Sequence, residues 1–180
     1  MDYKGLIFDL DNTLINTNNL RKFRESRDWQ SCFRNLHTTS IICAKDILEE
    51  HLRKWNCKFG IVTSSPRHYA ERMLKHHCFE YDALVAYHDC NRRKPFPDPM
   101  LMCANNLGVL PKEVITIGDH VNDVIAANRA GMISIGVSWG DCSKEQLVLV
   151  KPNYIVDSFN ELINLLNRLF GGIRDVYTLE

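Results

Sequence analysis

Leu6-Ile7-Phe8-Asp9-Leu10-Asp11-Asn12-Thr13-Leu14 is the stretch from which the rest of the chain is read. The apolar run Leu6-Ile7-Phe8 has the pattern of a strand buried on both faces. It ends in two carboxylates one residue apart. Open α/β folds bind their ligands at the carboxyl edge of the sheet, so a strand that ends in Asp-x-Asp aims oxygens at a crevice. Two carboxylates held that close repel each other, and a fold that keeps them supplies a cation or a shared proton. Hard oxygen ligands suit Mg²⁺. The bland alternative is a loop carrying two solvated aspartates.

Beyond this stretch the pattern alternates. Residues 40–55 show helical spacing through Ile41, Ile42, Ile47, Leu48 and Leu52. Residues 58–63 read as a second strand. Ser64-Ser65-Pro66 then offers a cap and a first-turn proline for a helix to about His77. Strands follow at 82–87, 114–118 and 133–137, with helices over 98–107 and 122–130 stopped by Gly108 and Gly131. A short strand at 154–156 and an amphipathic helix over 158–170 close the series. Strand-helix alternation predicts an α/β fold: a three-layer, Rossmann-like, doubly wound parallel sheet with right-handed crossovers. Residues 1–15 and 39–170 form the expected core. Residues 16–38 form a small insertion, read as a partly helical cap over the carboxyl edge or, alternatively, an irregular loop. Residues 171–180 are expected to be a flexible tail.

Composition narrows the function classes. The chain has 180 residues, 45% of them hydrophobic, which fits one globular domain. Lys+Arg and Asp+Glu are both 22, so charge indicates neither a nucleic-acid nor a membrane partner. The 7 cysteines are scattered without a C-x-x-C or a zinc-ligand spacing. With no signal peptide and no apolar run long enough to span a bilayer, a cytoplasmic protein with reduced thiols is expected. Monomer and homo-oligomer are both open.

The strand ends carry the chemistry. Asp9 and Asp11 follow the first strand, Thr63 and Ser64 the second, and Asp119, His120 and Asp123 the fourth. The third leads to Lys94. In a doubly wound sheet these converge on one crevice, and the inventory matches phosphoryl transfer. Asp9 can be a nucleophile forming an aspartyl-phosphate. Thr63 and Lys94 can hold phosphate oxygens, with backbone amides near Ser64 at a helix N-terminus adding donors. Asp119 can complete a Mg²⁺ site with Asp9, and Asp123 can support it from the next turn.

In these motifs the chain resembles the haloacid dehalogenase superfamily, on its phosphoglycolate-phosphatase-like branch. The residues that carry the resemblance are Asp9-Leu10-Asp11-Asn12-Thr13, Ile61-Val62-Thr63, Lys94-Pro95-Phe96-Pro97-Asp98 and Gly118-Asp119-His120-Val121-Asn122-Asp123, in that order; Ala126 to Met132 adds to them. The resemblance covers roughly residues 3–140. It implies that Asp9 attacks phosphorus, and that Asp11 protonates the leaving oxygen and then activates water. It implies that Asp9, the backbone carbonyl of Asp11, and Asp119 ligate Mg²⁺. An acid at position 11 implies a phosphatase rather than a dehalogenase. Alternatives are a phosphomutase or phosphotransferase of the same family, or a non-catalytic module that binds a phosphorylated ligand.

The chain departs from the branch in its short insertion, where relatives carry a much longer helical cap. That implies an open site for a bulky phosphate, a lid from a second subunit, or low selectivity; a small phosphorylated substrate remains the first expectation. Arg21, Lys22, Arg24 and Arg27 on the insertion can attract an anion or simply form a solvated face. His120 can touch the leaving group or pack behind the site, and Arg67 and His68 can reach substrate. Cys90 near His88 is too sparse for a metal loop, and Cys142 and the Trp139-Gly140 turn read as structural.

Overall fold

A computed structural model of the chain describes residues 3–171. In chain order the elements are β1 (Gly5–Phe8), β2 (Ile15–Asn16), α1 (Arg21–Glu25), α2 (Trp29–Arg34), β3 (Ser40–Ile41), α3 (Lys45–Trp55), β4 (Lys58–Val62), α4 (Arg67–His76), β5 (Ala83–Val85), α5 (Asp98–Leu107), β6 (Val114–Gly118), α6 (Val121–Arg129), β7 (Ile133–Val137), α7 (Lys144–Leu149), β8 (Tyr154–Val156) and α8 (Phe159–Gly171). Six strands pair in the order β5-β4-β1-β6-β7-β8, all parallel. The doubly wound α/β sheet expected from the alternation is the one found.

The alternation of side chains along β1 builds the layers. Leu6 and Phe8 pack with Leu48 of α3, Tyr69 and Met73 of α4 and Leu162 and Leu166 of α8. Ile7, pointing to the opposite face, packs with Met100, Cys103 and Leu107 of α5 and with Ala126 of α6. All four β1 residues are buried, which is why this strand has no polar alternation. The chain runs from β1 outward to β4 and β5, then returns through α5 to β6 on the other side of β1. The connections that leave the carboxyl ends of β1 and β6 therefore run to opposite sides of the sheet, and this topological switch point is where open sheets leave a crevice.

Two local expectations need correction. The helix expected from Ser40 starts at Lys45, because Ser40 and Ile41 pair antiparallel with Asn16 and Ile15 and the Ile42 amide donates to Leu14 O. Helical spacing of isoleucines cannot reveal such a pairing partner. This short ladder brackets α1 and α2. The helix α7 is absent from the sequence reading. Its signal was the capping box of Ser143 and Gln146, whose side chains bond each other's backbone amides, with Leu147 buried beneath.

The expected tail over 171–180 falls, apart from Gly171 at the end of α8, outside the described residues. Among the described residues no helix is long and apolar enough to cross a membrane.

Candidate active site

Each carboxylate of the crevice is held by the element before or after it. Asp9 follows β1, and its amide donates to Ile117 O at 2.9 Å, so the β1–β6 pairing sets its height at the rim. Asp119 follows β6, and Asp123 lies in the first turn of α6. One carboxylate oxygen from each of Asp9, Asp119 and Asp123 lies within 4.8 Å of the others, and all three residues are buried. Among the described residues this is the one grouping of acidic, histidine or cysteine ligands close enough to hold a metal.

Lys94 reaches the same point from the loop before α5. Its Nζ donates to Asp9 Oδ1 at 2.7 Å, to Asp123 Oδ1 at 2.5 Å and to Val62 O at 3.1 Å. Its side chain is only 4% exposed. Burial alone would lower the pKa of the ammonium, but Asp123 and Asp9 more than offset it, so Lys94 titrates above lysine's usual range and stays charged. Two buried carboxylates pair with this one ammonium, and a third, Asp119, lies beside them. Burial is the main reason the Asp9 carboxyl is pushed well above the ordinary carboxylate range. Lys94 opposes the shift, while the Asp123 and Asp119 charges add to it. Burial, and then the Asp123 charge, raise Asp119 to about 6. A hard divalent cation fits this donor set, since it would remove the surplus negative charge that burial makes costly.

Asp119 is oriented by two donors. Thr13 Oγ1 lies 2.7 Å from its Oδ1, and the Asp141 amide donates to its Oδ2 at 2.6 Å. Two glycines make room for these carboxylates. A Cβ at Gly118 would collide with the Asp123 side chain, and one at Gly140 with Asp119. The Trp139-Gly140 turn thus forms part of the wall behind Asp119, and the Trp139 indole donates to Thr13 O at 3.1 Å.

Asp11 stands apart from this cluster. Its Oδ2 accepts from Ser65 Oγ at 2.6 Å, and its Oδ1 from Tyr69 OH at 2.8 Å. Arg24 Nη1, from the insertion, is 2.9 Å from the same Oδ1. Arg21 ties the insertion to the rim through Asp141 at 2.5 Å. The cavity enclosed has a volume of about 410 Å³ and is lined by Asp9, Asp11, Thr63, Ser64, Lys94, Asp119, His120 and Asp123, with Arg21, Arg24 and Trp29 from the insertion.

Most of the residues singled out from the sequence therefore meet. Thr63 is buried and its hydroxyl oxygen accepts from the Ser65 amide at 3.0 Å, while Ser64 is exposed at the rim. His120 lines the cavity but uses Nδ1 to accept from the Asn122 amide at the start of α6. Lys22, Arg27 and His68 do not line the crevice, and neither does Arg67. Arg67 is held away by Asp89, 2.5 Å from its Nη2, and by Leu84 O. Its place at a helix start suggested reach, but a nearby carboxylate captured it. Tyr69, Ser65 and Arg24 were not singled out as partners of Asp11. For Thr13 a signal existed, since it closes the Asp-x-Asp-x-Thr stretch.

Known proteins similar to this chain are named as phosphatases and hydrolases. The chain is 26% identical over 215 residues to the pyrophosphatase PpaX of Bacillus mycoides, an alignment covering 95% of this chain and all of the relative. It is 33% identical over 109 residues to the phosphoglycolate phosphatase of Salmonella choleraesuis, covering 59% of this chain and 43% of that enzyme's length. Its fold resembles a β-phosphoglucomutase of Clostridium difficile, with a TM-score of 0.74 at 23% identity over 94% of this chain and 97% of the other. A hydrolase of Pseudomonas syringae gives 0.77 at 22% identity over 91% and 98%. The family model for haloacid dehalogenase-like hydrolases matches residues 20–137. With more than half of its length matched, this chain belongs to the haloacid dehalogenase-like hydrolase family.

Proposed function

We propose that the protein is a Mg²⁺-dependent phosphatase that hydrolyses a phosphate monoester through an aspartyl-phosphate on Asp9. The observation that carries this reading is the convergence of Asp9, Asp119 and Asp123, the first and last of them paired with Lys94, at the switch point of the sheet. Asp9 and Asp119, with the Asp11 backbone carbonyl, would hold the Mg²⁺, and Asp123 would support the site. The ion's contribution when bound is to neutralise charge on the phosphoryl oxygens and on the carboxylates.

The protein's own residues perform the rest. An Asp9 carboxylate oxygen forms a bond to phosphorus as the bond from phosphorus to the leaving oxygen breaks. Asp11 gives that oxygen its proton, then takes one from the water that attacks the aspartyl-phosphate, releasing phosphate and restoring Asp9. Thr63 donates its hydroxyl proton, and the Ser64 region its amides, to the phosphoryl oxygens. Lys94 trades part of its hold on Asp9 for the phosphate, which keeps its charge paired.

Pyrophosphate and phosphoglycolate, taken from the names of the relatives, are the first substrates to try. Phosphomutase chemistry requires water to be kept out, and an insertion of residues 16–38 makes a small lid for that task. The cytoplasmic placement agrees with the seven cysteines, all free thiols in the structure. The test is hydrolysis of p-nitrophenyl phosphate. We expect activity with Mg²⁺, loss with EDTA and recovery on adding excess Mg²⁺. No hydrolysis at high protein concentration in either condition would sink the reading.

A further inference from the structure

Tyr69 belongs to the core but carries a polar atom into it. It lies in the first turn of α4, is fully buried, and packs in the cluster that contains Phe8, Leu10 and Leu48. Phenylalanine would fill the same space without burying a hydroxyl, a group that is costly to take from water unless it is hydrogen-bonded. The Tyr69 hydroxyl donates to Asp11 Oδ1 at 2.8 Å. Trp29 of the insertion packs against the ring, with centroids 5.5 Å apart.

The two Asp11 oxygens are held differently. A carboxylate oxygen has room for about two hydrogen bonds. Oδ1 is filled, by the Tyr69 hydroxyl and by Arg24 Nη1 at 2.9 Å. Among the described residues Oδ2 has one partner, Ser65 Oγ at 2.6 Å. Ser65 lines the catalytic cavity, whereas Tyr69 does not and approaches from the core. Oδ2 therefore keeps an acceptor position open for a group in the cavity.

We infer that Tyr69 is a positioning residue for the phosphatase reaction: it anchors Asp11 Oδ1 to the core, so that Oδ2 is the oxygen presented to the leaving group. This deepens the phosphatase reading and rests on it. A proton on Oδ2 passes to the leaving oxygen as the bond from that oxygen to phosphorus breaks. The same Oδ2 then takes a proton from the water that attacks the aspartyl-phosphate. Rotation about the Cβ–Cγ bond of an aspartate is soft, so an unanchored carboxyl turns away from that aim. Binding of the phosphoryl group through Thr63 and Lys94 does not depend on the anchor.

The test compares wild type, Tyr69→Phe, Asp11→Asn and the double variant on ethyl phosphate and p-nitrophenyl phosphate with Mg²⁺. Tyr69→Phe keeps the ring and removes only the hydroxyl. It should lower kcat on ethyl phosphate about 10-fold and leave KM within about twofold, but cost less than about threefold on p-nitrophenyl phosphate, whose leaving group needs little protonation. In the Asp11→Asn background the same substitution should cost less than about twofold on ethyl phosphate, because no acid is left to aim. Even losses on the two esters, a loss confined to KM, or an undiminished loss in the Asp11→Asn background would each overturn the inference and leave Tyr69 a packing residue. A wild type inert toward both esters would instead sink the phosphatase reading itself, and this inference with it.

Discussion

The two sides of the crevice solve the burial of carboxylates differently. On the β1–β6 side, Asp9 and Asp123 share one ammonium with Asp119 close by, and burial holds Asp9 and Asp119 above the ordinary carboxylate range. On the insertion side, Asp11 has both oxygens occupied, by the Ser65 and Tyr69 hydroxyls and by Arg24. The first arrangement leaves a demand for positive charge that only an added ion fully meets. The second is satisfied as it stands. A nucleophile and metal cradle benefits from the first condition, since incoming charge is bound strongly. An acid/base residue benefits from the second, since hydroxyl partners can be exchanged for a substrate's leaving oxygen without leaving a bare buried charge.

Substitutions can break this contrast, and the largest effect is expected on the first side. Asp9→Asn should lower turnover of every substrate by about 10³-fold or more, because no neighbouring group can replace the bond it forms to phosphorus. A variant keeping about a tenth of the wild-type rate would remove Asp9 from that role.

Lys94→Met strips the cluster of its only fixed cation. It should cost about 3–5 kcal/mol of stability in urea denaturation without metal, with part recovered on adding Mg²⁺. A loss below about 1 kcal/mol, the value typical of an exposed pair, would mean that the cluster does not depend on the lysine.

Asp11→Asn tests the other side. It should slow ethyl phosphate hydrolysis about 10²-fold but p-nitrophenyl phosphate hydrolysis much less, because a good leaving group needs little protonation. Equal losses on both substrates would show that Asp11 does not act as the acid.

The smallest effect is pH linkage at Asp119. Its carboxyl titrates near 6 in the folded protein against an ordinary value of 3.8, so the native state holds more protons between those values. Stability from this group therefore falls as pH rises through that window. Without divalent cation, the melting temperature of wild type should decline relative to Asp119→Asn between about pH 4 and pH 6. At neutral pH, Mg²⁺ should raise the melting temperature of wild type more than that of the variant. A difference that stays flat with pH would contradict the burial cost assigned to Asp119.

Legibility followed range. The apolar runs of β1, β6 and β7 and the helix over 98–107 could be read because each records its own burial within a few residues. The start of α3 was misplaced because Ser40 and Ile41 belong to a ladder whose other strand is Ile15–Asn16. Arg67 opens α4 and Arg24 lies in α1, and nothing local shows which carboxylate each will meet. Asp89 claims the first and Asp11 the second.

By itself the amino-acid sequence determined the strand order of the chemistry: which carboxylates, hydroxyl and lysine follow which strand, and so which edge of the sheet they share. That much is local, since a buried strand and the residue after it are encoded together. Only the tertiary structure decided who is paired with whom. Thr13 orients Asp119 across 106 residues, Lys94 bridges Asp9 across 85, and the insertion delivers Arg24 rather than Arg21 to Asp11. Such pairings depend on how layers and loops pack around the crevice, and packing at that distance leaves no periodic trace in the chain.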